Sequence, residues 1–154
     1  MPLIYIVEDD VNIREIETFS LKNSGYTVND FECAKDFYHC LHEKKPDLII
    51  LDIMLPDEDG MEILKKLRKN SETKKIPIIM VTAKTTEIDK VKGLDMGADD
   101  YISKPFGVME LVSRTKAVLR RTAKKVKTVL VYKNIEMNLE AIKTRLFSDL
   151  SYDL

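Results

Sequence analysis

Runs of apolar residues alternate along the chain with stretches whose apolar positions recur at helical spacing. Leu3-Ile4-Tyr5-Ile6-Val7 is apolar throughout and predicts a first strand; residues 11–23, with Ile13, Ile16 and Phe19 at helical spacing, predict a helix that Gly25 ends. The alternation repeats. Strands are expected over 27–31, 47–51, 77–81 and 100–102, and helices over 34–43, 61–69, 87–96 and 108–121. The helix at 61–69 carries Met61, Ile63, Leu64 and Leu67 as its stripe, and the one at 108–121 carries Leu111, Val112, Thr115, Val118 and Leu119. The first, third and fourth strands are apolar without interruption, which is the pattern of strands covered on both faces. Five strand–helix units of this kind predict an α/β fold, a doubly wound parallel sheet with helices on both sides.

At 154 residues there is room for one well-buried domain and a small appendage. The composition, 44% hydrophobic and 33% charged with a net charge of −1, is that of an ordinary globular protein and argues against general polyanion binding. No apolar run approaches the roughly 20 residues of a membrane span, and none reads as a signal peptide, so a cytoplasmic protein with no membrane partner is expected. Cys33 and Cys40 lack metal-ligand spacing and read as reduced packing residues.

The chemistry gathers where the strands end. In a doubly wound sheet, ligands sit beyond the carboxyl ends of the strands at the topological switch point. The first strand runs into Glu8-Asp9-Asp10, the third into Asp52, the fourth into Thr82-Ala83, and the fifth leads to Lys104-Pro105. Converging carboxylates repel one another unless a hard cation such as Mg²⁺ is present. Together with a lysine and a threonine they suit phosphoryl transfer, in which a carboxylate acts as nucleophile and fixed charges neutralise the phosphoryl oxygens. Asp52, on the central strand, is the candidate nucleophile, Lys104 the cation and Thr82 a hydroxyl donor. The small Ala83 leaves room for the incoming group. Asp10 reads as a solvated loop residue.

The set Val7-Glu8-Asp9-Asp10, Ile50-Leu51-Asp52-Ile53-Met54-Leu55-Pro56, Gly60, Val81-Thr82-Ala83 and Lys104-Pro105-Phe106 resembles the receiver domain of bacterial two-component response regulators, over residues 3–121. The resemblance implies a flavodoxin-like sheet in order 2-1-3-4-5. It implies a phosphoryl group taken by Asp52 from a sensor histidine kinase, and Mg²⁺ held by Asp9, Asp52, Glu8 (through water) and the Met54 carbonyl. A cis peptide at Lys104-Pro105 is implied too. Such a protein is a phosphoacceptor that assists its own phosphorylation and dephosphorylation, not a classical enzyme. The resemblance further makes Thr82 and Tyr101 a switch pair.

The stretch from Lys90 to Tyr101, with Glu110-Leu111-Val112-Ser113-Arg114 and Arg120-Arg121, is similar to the OmpR/PhoB subfamily. That likeness implies a homodimer on phosphorylation, with Lys90 and Glu110, Asp100 and Arg114, and Asp95 and Lys116 as candidate ion pairs across a two-fold face. Residues 122–127 read as a basic linker. Residues 128–132, 135–138 and 144–147 look like short strands, similar to the opening sheet of a winged-helix effector, so 128–154 are expected to be its incomplete start. Regulation of transcription, with DNA as partner, would then belong to a full-length form, and the chain to a fragment or a truncated regulator. The alternative is a stand-alone receiver signalling through protein contacts. A haloacid-dehalogenase-type phosphatase fits poorly, since Asp52-Ile53-Met54 has no second Asp, and a flavodoxin fits poorly without a phosphate loop after the first strand.

Overall fold

The computed structural model describes residues 1–83, 91–92 and 94–152, with residues 124–129 and 142–152 described by their backbone alone. Five strands, β1 (Leu3–Val7), β2 (Thr27–Phe31), β3 (Leu48–Asp52), β4 (Ile78–Thr82) and β5 (Asp100–Ser103), form one parallel sheet in the order β2-β1-β3-β4-β5. Between them lie α1 (Val11–Asn23), α2 (Ala34–Glu43) and α3 (Gly60–Lys69), and β5 is followed by α4 (Val108–Tyr152). Of the expected helix at 87–96, residues 87–90 and 93 lie outside the described ones; residues 91–92 and 94–95 are helical. Among the described residues, no helix is long and apolar enough to cross a membrane.

Two apolar layers follow from the strand pattern. Every residue of β1, β3 and β4 is buried, and alternate side chains enter opposite layers. Tyr5, Val7, Ile49, Leu51, Ile78 and Met80 join Phe37, Ile63 and Leu64 on one side; Ile4, Ile6, Ile50, Ile79 and Val81 join Leu21, Leu111 and Val118 on the other. Tyr5, Phe31 and Phe37 meet edge to face with centroids 5.2 to 6.3 Å apart, contacts worth about 0.5–1.5 kcal/mol each beyond the area they bury. Gly25, after α1, takes φ +97, as its place at a helix end requires.

Two expectations are corrected. The residues at helical spacing in α1 are not the ones the helix buries: Ile16 and Phe19 are exposed, and Glu17, Ser20 and Leu21 face inward. The helix expected over 108–121 continues to Tyr152, so residues 122–127 are helical and not a linker, and the tail residues 128–132, 135–138 and 144–147 are helical, not strands. No glycine or proline follows Gly107 to break a helix, and the many Lys, Glu, Leu and Ala residues of the tail favour helix. The chain divides into two compact units, Met1–Leu119 and Arg120–Leu154. In the second, Leu130, Tyr132, Ile135, Met137 and Leu139 are exposed.

Candidate functional site

Parallel strands bring distant segments to one sheet edge. β1 ends just before Glu8 and Asp9, β3 ends on Asp52, β4 on Thr82, and β5 leads into Lys104. Oxygen atoms of Glu8, Asp9 and Asp52 all lie within 4.8 Å of one another. Asp52 is 4% exposed and Glu8 2%, while Asp9 is open to solvent. Lys104 Nζ donates to Asp52 Oδ2 at 3.2 Å and to Glu8 Oε1. The other Asp52 oxygen accepts from Met54 N at 3.2 Å. Lys104 N donates to the Thr82 carbonyl at 2.9 Å, which ties the lysine to the end of β4. The Lys104-Pro105 peptide is cis.

Close approach at this edge depends on one missing side chain. A Cβ on Gly60 would lie 2.2 Å from the Asp52 carbonyl oxygen, so only glycine lets α3 start against the end of β3. Gly60 N donates to the Ile53 carbonyl at 2.7 Å, and Met54 bridges to Asp59. Asp59 caps α3 by accepting from Met61 N at 2.8 Å.

Burial and the neighbouring Asp52 push the Glu8 carboxyl up to about 9, against the pull of Lys104; when protonated, Glu8 still accepts from the lysine through its carbonyl oxygen. Burial works against the Lys104 ammonium, but the hydrogen bonds and charges of Glu8 and Asp52 outweigh it and raise its pKa. Glu8 Oε2 is buried with no hydrogen-bond partner among the described residues. An orphaned carboxylate oxygen beside two further carboxylates is the donor set a hard divalent cation completes. The residues present therefore fit Mg²⁺.

The other candidate residues are distributed as follows. Thr82 is fully buried, and Tyr101 lies buried in the Tyr5–Phe37 layer. Asp100 and Glu110 both pair with Arg114 of the same chain, at 3.1 Å each. Asp95 and Lys116 are exposed and form no ion pair with each other. Lys90 lies outside the described residues. Asp10 caps α1, its Oδ1 accepting from Ile13 N at 3.0 Å, so it serves the helix, not the cluster.

Three residues around the site carried no readable sequence signal. Arg14 donates to the Glu8 carbonyl at 2.8 Å and to Asp30 at 3.1 Å, bracing the acidic loop from α1. Glu17 is 1% exposed, and both its oxygens lack a hydrogen-bond partner among the described residues. Burial pushes its carboxyl up to about 8, with Lys104 pulling it back and Asp52 adding to the rise. Asp57, at the tip of the loop after Asp52, accepts from Ala34 N and Lys35 N at the start of α2.

The family model of the response regulator receiver domain matches residues 4–116. A putative response regulator from Chloroflexus aurantiacus is 34% identical, with a TM-score of 0.73 over 77% of this chain and 98% of that one. The BeF3-activated DrrB receiver domain is 32% identical, with a TM-score of 0.70 over 78% and 98%. A CheY-like receiver domain protein from Methanospirillum hungatei is 31% identical, with a TM-score of 0.75 over 81% and 98%.

Proposed function

Since the chain belongs to the response regulator receiver family, whose members accept a phosphoryl group, we propose that it takes that group on Asp52 from a sensor histidine kinase in the cytoplasm. One observation carries the reading: a buried aspartate at the end of the central strand has Lys104 Nζ 3.2 Å away and the carboxylates of Glu8 and Asp9 at its side. Asp52 attacks phosphorus through a carboxylate oxygen, and the bond from phosphorus to the donor breaks, leaving an acyl phosphate. Lys104 exchanges part of its hold on Asp52 for a phosphoryl oxygen, and the Thr82 hydroxyl donates to another. Asp9, Asp52, the Met54 carbonyl and, through water, Glu8 would hold Mg²⁺, which would offset the negative charge gathered between the carboxylates and the phosphoryl group. The chain is on this reading a phosphoacceptor promoting its own phosphorylation and dephosphorylation, not an enzyme with turnover on a separate substrate.

Intact mass after incubation with acetyl phosphate tests this. One phosphate is expected to be added with Mg²⁺ and none in EDTA; a protein that gains no mass with Mg²⁺ at millimolar acetyl phosphate overturns the reading.

The output follows the OmpR/PhoB likeness. Phosphorylation draws Thr82 toward the modified Asp52, Tyr101 repacks, and the face carrying Asp95, Asp100, Glu110, Arg114 and Lys116 pairs with a second copy. Arg114 already has partners within its own chain, so dimerisation exchanges ion pairs and does not create them. Each is worth only ~0–1 kcal/mol and sets register more than strength. A coupling of about 1–3 kcal/mol tightens dimerisation roughly 5- to 150-fold. Sedimentation with and without beryllofluoride measures it, and Arg114→Glu is expected to weaken the activated dimer. An activated protein that stays monomeric removes this face from the output. Regulation of transcription, through a DNA-binding partner domain in a longer form, is the role that best suits such a dimer.

A further inference from the structure

The loop joining β3 to α3 contributes Met54 to the site, and its tip is held from outside. α2 begins at Ala34, but Cys33, at its N-cap position, makes no side-chain hydrogen bond to the helix. The first orphan amides of α2 are satisfied from elsewhere: Asp57 Oδ1 accepts from Ala34 N at 2.9 Å and Oδ2 from Lys35 N at 3.0 Å. A residue 23 positions downstream thus does the work usually done by the N-cap. Those amide bonds, chief among them the one from Ala34, hold the Asp57 carboxyl below the usual range despite its exposure. The adjacent Glu58 accepts from the Tyr38 hydroxyl of α2 at 2.5 Å and from Lys66 of α3 at 2.6 Å. At its base the same loop is closed by the Met54–Asp59 bridge and the bond from Gly60 N to the Ile53 carbonyl.

We propose that Asp57 is a positioning residue for the metal: by clamping the β3–α3 loop to the N-terminus of α2 it holds the Met54 segment ready for Mg²⁺. The inference rests on the metal site assigned above and adds to it a residue that never touches the ion. A loop tied only at its base samples orientations of the Met54 peptide that cannot coordinate, and fixing the tip removes that entropy before binding. Linkage makes the effect reciprocal, so Mg²⁺ must also tighten the start of α2.

Amide NMR of the full chain supplies both readouts, with Mg²⁺ alone as probe. Asp57→Ala is expected to weaken Mg²⁺ binding about tenfold, the low end of what outer partners of metal ligands contribute. Asp57→Asn keeps an oxygen acceptor for Ala34 N and should recover most of that loss. In the unaltered protein, saturating Mg²⁺ should slow hydrogen exchange at Ala34 and Lys35. Should Asp57→Ala perturb the fold, Tyr38→Phe removes only the Glu58 tie and should weaken binding by a smaller factor. Equal affinity in Asp57→Ala and the unaltered chain overturns the clamp, and so does an Asn variant as weak as the Ala variant. Asp9→Ala separates this from the underlying assignment: if it binds Mg²⁺ as well as the unaltered chain, the metal site itself is wrong, whatever Asp57 does.

Discussion

Asp52→Asn is expected to lower the rate of phosphoryl uptake from acetyl phosphate by roughly a thousandfold or more, equivalent to about 4 kcal/mol of lost transition-state stabilisation. The carboxamide has no anionic oxygen with which to attack phosphorus, and the pocket offers no equal substitute. Glu8 is buried, and burial together with the neighbouring Asp52 raises its carboxyl pKa, which disfavours the anion that would attack. Asp9 is open to solvent and is not among the residues that Lys104 Nζ binds, which are Glu8 and Asp52. Asn matches Asp in volume, so the thermal unfolding curve should change little while the chemistry is lost. Mass gain by the Asn variant at the unaltered rate would place the acceptor elsewhere.

Glu17→Gln is expected to remove a pH-dependent loss of stability worth on the order of 5 kcal/mol across its whole titration. An unfolded glutamate ionises near 4.5, and the folded Glu17 near 8. Between those values the folded chain keeps a proton that the unfolded chain has released. Rising pH therefore favours the unfolded state by about 1.4 kcal/mol per unit across that window. Below it both forms are protonated and the penalty vanishes; above it the penalty is constant. Glutamine has no such titration, but its amide N–H groups are buried without an assured acceptor, which costs about 1–3 kcal/mol at every pH. The variant should thus be slightly less stable at pH 5 and more stable at pH 8, with denaturant unfolding in EDTA as the measurement. A difference between the two proteins that is the same at both pH values would mean that Glu17 is already ionised in the fold.

Glu17 also marks where the sequence misleads. The sheet was legible because strands buried on both faces have no alternative to unbroken apolar runs, and Ile49, Ile50, Leu51 and their counterparts in β1 and β4 supply them. The acidic pocket was legible because parallel strands bring their carboxyl ends to one edge, whatever the helices do. α1 was not readable in the same way. Its inward face carries Glu17 and Ser20, and Ile16 and Phe19 point out, so spacing gave the helix but not its orientation. In the tail, Thr128-Val129-Leu130-Val131-Tyr132 has a strand-like composition, yet β-propensity acts through neighbours on a sheet, and here the run continues a helix. The cap that Asp57 gives α2 was invisible for a different reason. Capping patterns are local, and this one spans 23 residues.

The strand order also bears on how the pocket comes into being during synthesis. β2, β1 and β3 are contiguous in the sheet, and all three lie within the first 52 residues. A chain emerging from the ribosome can thus pair them before β4 exists. The counter-charge of Glu8, Asp9 and Asp52 comes later in the chain, since Lys104 follows Asp52 by 52 residues. At roughly 5–20 residues per second this interval lasts about 3–10 s. Any pairing of these three strands in that interval would gather the carboxylates before the lysine that neutralises them is made.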